Sequence, residues 1–411
     1  MENHMKYQFP KDFLWGAGTS AHQVEGGNWN SDWWEFEHTK GTPIAEPSGD
    51  TCDQYHRYPQ DIALMAELGL NAYRFGIEWA RIEPEDGEFS LAALNHYLDV
   101  CRICQEHDIK PIITLNHNSL PRWVARRGGY LWDGLPKVFA RYCGKVTEHL
   151  KEYLGYILTL NEPDLTANLG IRHGMFPRLD NIRLKGNKAA ERSEKIMLLT
   201  HPAARETIKT IAPHAKVGWT LAVPDWGGFD GPEEELMKQP MVRHWEGPFL
   251  EATRGDDFVG LNSYTRLYVS KAYNGMIHGG LGLGLMFSGN PKGVRLTQMG
   301  WEFAPESLGG AIRRTYQKTG LPILITENGF PGDDDRERVE FINGAMESLK
   351  GCMEEGLPVQ GYLYWSLLDN FEWNKGFAMH FGLVAVNPKT FERTPKPSAH
   401  LLGKIARQNA I

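Results

Sequence analysis

Eight short apolar runs, rich in β-branched and aromatic residues, recur along the chain and alternate with segments of helical spacing. Two of them, PIITL and PILIT, are almost continuously apolar, which is typical of parallel strands buried on both faces. Eight strand-then-helix units without a linker predict an α/β fold, a single (β/α)8 barrel domain over residues 1–411, rather than a doubly wound open sheet. The predicted strands are Phe13–Ala21, Ala72–Trp79, Pro111–His117, Tyr156–Asn161, Lys216–Ala222, Phe258–Tyr264, Pro322–Glu327 and Gly361–Leu367.

Two further segments complete this organisation. LNHYLDVCRICQEHDI predicts an amphipathic helix, so Cys101 and Cys104 should face the barrel; no second Cys or His pair completes a metal or redox site. The chain has five cysteines, an odd number, which argues against a disulfide framework. The Gly-rich stretch at residues 274–293 is expected to form a long loop over the barrel mouth.

Charge and hydropathy exclude several classes of partner. A net charge of -7 and a pI near 6.1 provide no general attraction to nucleic acid or anionic lipid. No stretch approaches the ~20 apolar residues that span a bilayer, and Met1 to Pro10 lacks the apolar region of a signal peptide. We therefore expect a cytoplasmic protein that binds neither nucleic acid nor membranes.

Polar side chains gather at the ends of the predicted strands, where the active site of a barrel lies. Arg74 is within the second strand, and Asn161 and Glu162 come at the end of the fourth. The others are Gln23 after the first strand, His117 at the third, Asn262 and Tyr264 at the sixth, Glu327 at the seventh, Trp365 at the eighth, and Glu372 and Trp373 just beyond it. We expect these side chains to converge on one rim.

Two of these residues, Glu162 in LTLNEP and Glu327 in LITENG, are carboxylates on opposite sides of an eight-stranded ring. Glycoside hydrolysis needs such a pair, because one carboxyl protonates the leaving oxygen while the other attacks or activates water. A separation of ~5–5.5 Å implies retention of configuration, and ~6.5–9.5 Å implies inversion. Either Glu alone is equally compatible with capping the next helix, and Pro163 fits such a helix start.

Five segments in order along nearly the whole chain resemble glycoside hydrolase family 1, the β-glucosidase and β-galactosidase family. They are LWGAGTSAHQVEGG, DQYHRYPQDIALMAELGLNAYRFGIEWARIEP, LTLNEP, LITENG and YWSLLDNFEWNKGF. The resemblance implies a retaining β-glycosidase, with β-glucosidase activity foremost and β-galactosidase or β-fucosidase activity possible beside it. The substrate would be a small β-glycoside or oligosaccharide.

The resemblance also implies a role for each strand-end residue. Glu162 would be the general acid/base and Glu327 the nucleophile of a covalent glycosyl-enzyme. Arg74 and Tyr264 would hold Glu327, with Asn262 beside them, and Asn161 would bind the 2-hydroxyl. The remaining sugar contacts would come from Gln23, His117, Glu372 and Trp373, with Trp365 as the floor. No metal or cofactor is needed, since two carboxylates suffice.

Three positions bear on the substrate. Relatives that act on 6-phosphoglycosides usually carry a small residue at the position of Glu372 and a phosphate-binding cluster after it, so this chain is expected to take unphosphorylated sugars. Asn118 and Ser119 depart from the aromatic and the Asp or Thr usual in the family, which leaves the preferred epimer open. Because the chain is shorter than most relatives, we expect a more open aglycone side that tolerates varied leaving groups or longer chains. Good activity on aryl glycosides and poor activity on short disaccharides would fit this expectation.

Two alternatives remain beside hydrolysis. A transglycosylase would use rim aromatics such as Trp123, Trp132, Trp226 and Trp301 to hold acceptor sugars. A catalytically silent sugar-binding barrel would require the loss of a carboxylate, and both are present. The oligomeric state is left open.

Overall fold

The computed structural model describes residues 7–228, 242–269, 277–278 and 294–411. Eight parallel strands close into a barrel, in the order β1-β8-β7-β6-β5-β4-β3-β2. They are β1 Leu14–Gly18, β2 Ala72–Gly76, β3 Lys110–Asn116, β4 Tyr156–Asn161, β5 Lys216–Ala222, β6 Val259–Asn262, β7 Ile323–Asn328 and β8 Val359–Trp365. The predicted barrel is confirmed, and each of the eight predicted runs overlaps one strand.

Each strand is followed by a helix that covers the outside of the barrel. Ser90 caps the helix Leu91–Glu106 by accepting a hydrogen bond from Ala93 N at 3.2 Å, and Asp334 caps the helix Asp335–Glu354. The helices are α1 Gln54–Leu68, α2 Leu91–Glu106, α3 Leu135–Leu150, α4 Gly186–Ile211, α5 Gly247–Ala252, α6 Ser307–Thr319, α7 Asp335–Glu354 and α8 Pro397–Gln408.

Shorter elements lie in the loops. Helical turns occupy Ala21–Val24, Asp32–Glu37, Trp79–Ile82, Arg122–Arg126, Gly129–Leu131, Lys151–Tyr153, Pro163–Leu165, Thr166–Ile171 and Trp373–Lys375. Short strands form a three-stranded sheet, Asp225–Gly228 with Arg266–Val269 and Ile277–His278, and an antiparallel pair, Val384–Val386 with Arg393–Pro395. Apart from residues 277–278, the Gly-rich segment expected to form a loop lies outside the described residues.

Apolar side chains fill the barrel and separate it from the helices. The interior layer consists of Leu14, Ala72, Ile112, Leu158, Phe258, Leu324 and Leu363. Cys101 and Cys104 are completely buried in the larger cluster outside the strands, which confirms that α2 turns both toward the barrel. Burial raises the pKa of the Cys104 thiol to about 12, so this thiol is neutral at physiological pH.

Register irregularities coincide with two of the candidate functional positions. The pairing of β4 with β5 shifts between Leu158 and Asn161, and that of β7 with β6 shifts between Ile325 and Glu327. Such bulges redirect side chains next to active sites. In the described part of the chain, no helix has the length and apolar character to cross a membrane.

Candidate active site

A cavity opens at the carboxyl ends of the barrel strands, where the sequence places the site. Glu162, Glu327 and Glu372 all contribute to its walls, although they come from three distant parts of the chain. The described lining residues include no Lys or Arg. Besides the three carboxylates they are His117, Asn118, Leu165, Phe176, Ala222, Pro224, Asn262, Ser263, Tyr264, Thr265, Met299, Trp301, Trp365, Trp373 and Phe381.

Glu327 is held by donors on both of its carboxylate oxygens. Arg74 Nη1 donates to Oε1, and the Tyr264 hydroxyl donates to Oε2 at 2.5 Å. Arg74 is completely buried and is itself fixed by Thr114 Oγ1 at 3.0 Å. A carboxylate with a buried guanidinium partner and a short phenol hydrogen bond is favoured in its ionised form. Glu327 is therefore pre-oriented as an anion facing the cavity.

Glu162 has a different environment. Its backbone adopts φ +47°, and its side chain does not cap the following turn; instead Asn262 Nδ2 donates to Oε1 at 2.9 Å. The helix-capping alternative for this residue is thereby wrong. Burial, followed by the negative charge of Glu327, raises the pKa of Glu162 well above its ordinary value. The two carboxyl groups thus differ in protonation, with the proton on Glu162.

Asn161 and His117 connect the surroundings of Glu327 with those of Glu162. Asn161 Oδ1 accepts from Arg74 Nη2 at 2.6 Å and from Asn262 Nδ2 at 3.2 Å, while Asn161 Nδ2 lies 3.2 Å from His117 Nε2. Burial and the charge of Arg74 lower the pKa of His117 well below its ordinary value, so its ring is neutral. A neutral ring that accepts at Nε2 carries its proton on Nδ1, which is buried without a partner in the described structure.

Gln23 supports Glu372 from behind. Its Nε2 donates to Phe371 O at 2.8 Å and approaches Glu372 Oε2 at 3.3 Å, while its Oε1 accepts from Ser20 Oγ at 2.6 Å. Burial and the charge of Glu327 raise the pKa of Glu372 to about 8. Gln23 is completely buried and does not line the cavity, whereas Glu372 does. The structure therefore places Glu372 at the cavity wall and Gln23 one layer further out.

Three tryptophans border the cavity. The Trp365 ring stacks on His117 with centroids 5.4 Å apart and an interplanar angle of 19°, and Trp373 lies 6.3 Å from the same imidazole. Trp301 packs against Tyr264, with ring centroids 5.4 Å apart, and belongs to the same apolar cluster as Trp365. Of the four rim aromatics considered from the sequence, this is the one that lines the cavity. The other three, Trp123, Trp132 and Trp226, are not among its described lining residues.

The segment that departs from the family pattern is firmly held. Asn118 has φ +62°, lines the cavity, and accepts a hydrogen bond from Thr166 Oγ1 at 3.3 Å. Ser119 turns away from the cavity and donates to the buried carboxylate of Glu78 at 2.7 Å. Asn118 is thus positioned to contact a ligand, and Ser119 supports the loop that carries it.

One wall of the cavity was not anticipated from the sequence. Its apolar side chains come from loops after β4, β6 and β8, where no strand period or motif marks them. They are Leu165, Phe176, Met299 and Phe381. Thr326 was also missed, although it lies next to Glu327: its hydroxyl donates to Asn262 Oδ1 at 2.8 Å and orients that amide. The sequence signal for this contact is the threonine that directly precedes Glu327 in the LITENG motif.

No group of three or more His, Cys, Asp or Glu side chains suited to a metal ion occurs among the described residues. The two carboxyl groups, with a charged arginine beside one and a retained proton on the other, form a site for acid–base and nucleophilic chemistry.

Comparisons with known proteins agree with this geometry. The family model described as "Glycosyl hydrolase family 1" matches residues 5–253 and 233–411. Beta-glucosidase A of Thermotoga maritima is 29% identical, over 98% of this chain and 99% of its own length. An aryl-phospho-beta-D-glucosidase of Bacillus subtilis is 28% identical over 92% of both chains.

Solved structures give the same result. A crystal structure of a beta-glycosidase is 41% identical with a TM-score of 0.87, over 98% of each chain. The beta-glucosidase from Thermotoga maritima in complex with deoxynojirimycin is 26% identical with a TM-score of 0.88, over 98% of this chain and 99% of that one.

Proposed function

The chain belongs to glycosyl hydrolase family 1, and from this premise we propose that it is a β-glucosidase that releases terminal non-reducing β-glycosyl residues with retention of configuration. The difference in protonation between its two cavity carboxyl groups is the observation that supports this best. Arg74 and Tyr264 favour the anion of Glu327, while burial and that anion keep the proton on Glu162.

In the first step, a Glu327 carboxylate oxygen attacks the anomeric carbon and forms a glycosyl ester. The bond to the glycosidic oxygen breaks at the same time, and Glu162 gives its proton to that oxygen, so the aglycone leaves as a neutral alcohol. Asn161 has one amide hydrogen beyond the bond to His117, and we assign it to the sugar 2-hydroxyl, where the contact strengthens in the transition state.

In the second step, Glu162 works as a base. Esterification removes the negative charge of Glu327, which is one of the two main causes of the raised pKa of Glu162. The ionised Glu162 takes a proton from water, the water oxygen attacks the anomeric carbon, and Glu327 leaves as a carboxylate. Two inversions at one carbon give net retention, and no cofactor enters either step.

We assign the glycone contacts to His117, Glu372 and Trp373, with Trp365 as the floor. Gln23 acts through Glu372, and Asn262 acts through Glu162 rather than through Glu327. We also assign the aglycone to the apolar wall of the cavity, and therefore propose a preference for aryl over disaccharide substrates. A panel of p-nitrophenyl β-glycosides against cellobiose tests this, and also tests the choice among glucose, galactose and fucose.

We propose that the sugar is unphosphorylated. The described lining residues carry three carboxyl groups and no Lys or Arg, so a phosphate dianion would enter without a compensating cation. A relative that acts on phosphoglucosides is similar over most of the chain, so similarity alone does not decide this point. Comparing p-nitrophenyl β-glucoside with its 6-phosphate is the direct measurement; faster hydrolysis of the phosphorylated compound would refute the assignment.

Three broader expectations accompany this function. We propose that residues 1–411 form one catalytic domain, supported by the family match along almost their whole length. The cytoplasmic location expected from the sequence stays a prediction. Transglycosylation is the alternative to hydrolysis. Of the four rim aromatics considered for it, Trp301 is the one among the described residues that line the cavity.

The experiment that tests the catalytic assignment compares Glu327→Gly and Glu162→Gly on an activated aryl β-glucoside, with and without azide. Glu327→Gly should be inactive until azide attacks from the vacated side and yields the inverted α-glycosyl azide. Glu162→Gly should still form the glycosyl-enzyme, and azide should then yield the retained β-azide. The same anomer from both variants would refute the distinction between nucleophile and acid/base.

A further inference from the structure

Asn118 presents an amide to the active-site cavity that the proposed mechanism leaves unused. Its side chain lines the cavity, and its Oδ1 accepts a hydrogen bond from Thr166 Oγ1 at 3.3 Å. Its Nδ2 has no hydrogen-bond partner in the described structure, yet it is not among the fully buried polar atoms that lack one. The hydrogens on Nδ2 are therefore accessible, and the space that adjoins them is the cavity.

The turn around Asn118 holds this side chain in one orientation. Trp33 Nε1 donates to Asn118 O at 2.7 Å, and Asn116 Nδ2 donates to Ser119 O at 2.6 Å. Asn118 itself has φ +62°, a left-handed conformation that asparagine adopts more readily than most residues. Because its carbonyl and its Oδ1 are both engaged, the side chain has little freedom to turn Nδ2 away from the cavity.

Two buried carboxyl groups hold the rest of this turn. Glu78 Oε2 accepts from Ser119 Oγ at 2.7 Å, and Asp32 Oδ1 accepts from Leu120 N at 2.9 Å. Both acidic residues are only 1% exposed, and burying a carboxyl group is costly unless it is hydrogen-bonded. Their presence at one short turn indicates that its geometry serves the site, since groups that contact a substrate must be held in place beforehand.

The neighbours of Asn118 place its amide on the glycone side of the cavity. His117 directly precedes it, and the Trp33 ring that holds its carbonyl packs on Trp373 with centroids 4.5 Å apart. Trp373 lies 6.3 Å from the His117 ring, and both are assigned to the glycone. An amide donor in this position is matched by a hydroxyl oxygen of the sugar. Since the 2-hydroxyl is assigned to Asn161, the acceptor is another hydroxyl.

We propose that Asn118 is a specificity-determining residue, whose Nδ2 donates a hydrogen bond to one hydroxyl of the bound glycone other than the 2-hydroxyl. This inference rests on the proposed β-glucosidase function and adds to it a requirement for one particular hydroxyl of the sugar. A glycone without that hydroxyl leaves the amide without a partner in the closed site, so the enzyme discriminates against it.

The test combines enzyme variants with altered substrates. Wild type and Asn118→Gly are assayed on p-nitrophenyl β-glucoside and on its 3-, 4- and 6-deoxy analogues. Glycine adopts the left-handed backbone freely, so this variant removes the amide without straining the turn. We expect kcat/KM for the parent glucoside to fall roughly 3- to 10-fold, mainly through KM. For one deoxy analogue the two enzymes should agree within about twofold, because that substrate lacks the hydroxyl that the amide contacts.

The pattern across the analogues separates this contact from a structural role. A fall of equal size for all three analogues overturns the proposal, because a structural defect is not tied to one position of the sugar. An unchanged kcat/KM for the parent glucoside overturns it as well. Asn409→Gly is the matched control: Asn409 has φ +48° after α8, and its Nδ2 donates to Phe9 O at 2.9 Å. Asn409 does not line the cavity, so this variant should match wild type on every substrate.

Thr166→Val provides a second variant, which keeps the amide of Asn118 and removes the hydroxyl that fixes its Oδ1. Its loss in kcat/KM should be smaller than that of Asn118→Gly and should disappear with the same deoxy analogue; a loss spread evenly over the analogues contradicts the proposal. If wild type is inactive on all four substrates, the proposed β-glucosidase function fails, and this proposal with it. An active wild type with an even loss in Asn118→Gly overturns the hydrogen bond alone.

Discussion

Replacing Tyr264 by Phe removes one of the two side-chain donors to Glu327 while leaving the ring that packs on Trp301. The hydrogen bond is 2.5 Å long, and its acceptor is a carboxylate that is 4% exposed. Hydrogen bonds to charged groups contribute ~1.5–3 kcal/mol. At 1.36 kcal/mol per tenfold in rate, we expect kcat/KM for an aryl β-glucoside to fall by roughly 10- to 150-fold.

The pH profile gives a second measurement on the same variant. The Tyr264 hydroxyl donates to Glu327, whereas the proton whose loss sets the alkaline limb of kcat/KM is held by Glu162, so Tyr264→Phe should lower kcat/KM and leave the alkaline limb in place. Tyr142→Phe is the control, because that buried hydroxyl donates to Leu115 O at 2.9 Å on the far side of β3. A loss in Tyr264→Phe below about threefold, or an equal loss in the control, would refute the reasoning.

Three more expectations follow from the site. In Glu162→Gln the pH profile of kcat/KM should lack its alkaline limb. The value of kcat/KM should fall ~10²–10⁴-fold for substrates with poor leaving groups, whereas the glycosylation step with activated substrates should change little. An equal fall in kcat/KM across a series of leaving groups would argue against the acid role. Glu372 keeps its proton up to about pH 8 in the folded chain, whereas in the unfolded chain it ionises near its ordinary value, so the fold loses stability as pH rises through this window. The Tm of Glu372→Gln relative to wild type should therefore rise between about pH 4.5 and 8 and then level off; a constant difference would exclude this linkage. We assign Trp301, which lines the cavity, to the aglycone, so Trp301→Ala should raise KM for aryl glucosides more than it lowers kcat; an unchanged KM would contradict this assignment.

The barrel and the two carboxylates could be predicted because they rest on local patterns. Strands such as β4 and β7 are runs of apolar residues buried on both faces, and in a barrel such runs end at the rim that holds the active site. Glu162 and Glu327 each follow one of these runs directly, so their convergence follows from topology alone. The ends of the strands were predicted less accurately. His117 and Tyr264 were expected inside strands, but His117 comes one residue after β3 and Tyr264 two residues after β6.

What no pattern could supply is the set of contacts between residues far apart in the chain. Asn262 lies 100 residues from Glu162 and yet donates to it, and Gln23 supports Glu372 from 349 positions away. The apolar wall of Phe176, Met299 and Phe381 likewise comes from loops whose paths depend on packing rather than on local preference.

The chain by itself determined the eight strand–helix units, the location of the functional rim and the identity of its two acids, because hydrophobic periodicity and residue type are encoded locally. The family resemblance implied which acid keeps its proton, but only the tertiary structure supplied the physical cause. The difference in protonation depends on burial and on charges brought close by closure of the barrel: Arg74 from β2 beside Glu327 from β7, and Glu327 in turn acting on Glu162 from β4. Electrostatic energy depends on distance through space, which sequence separation does not contain.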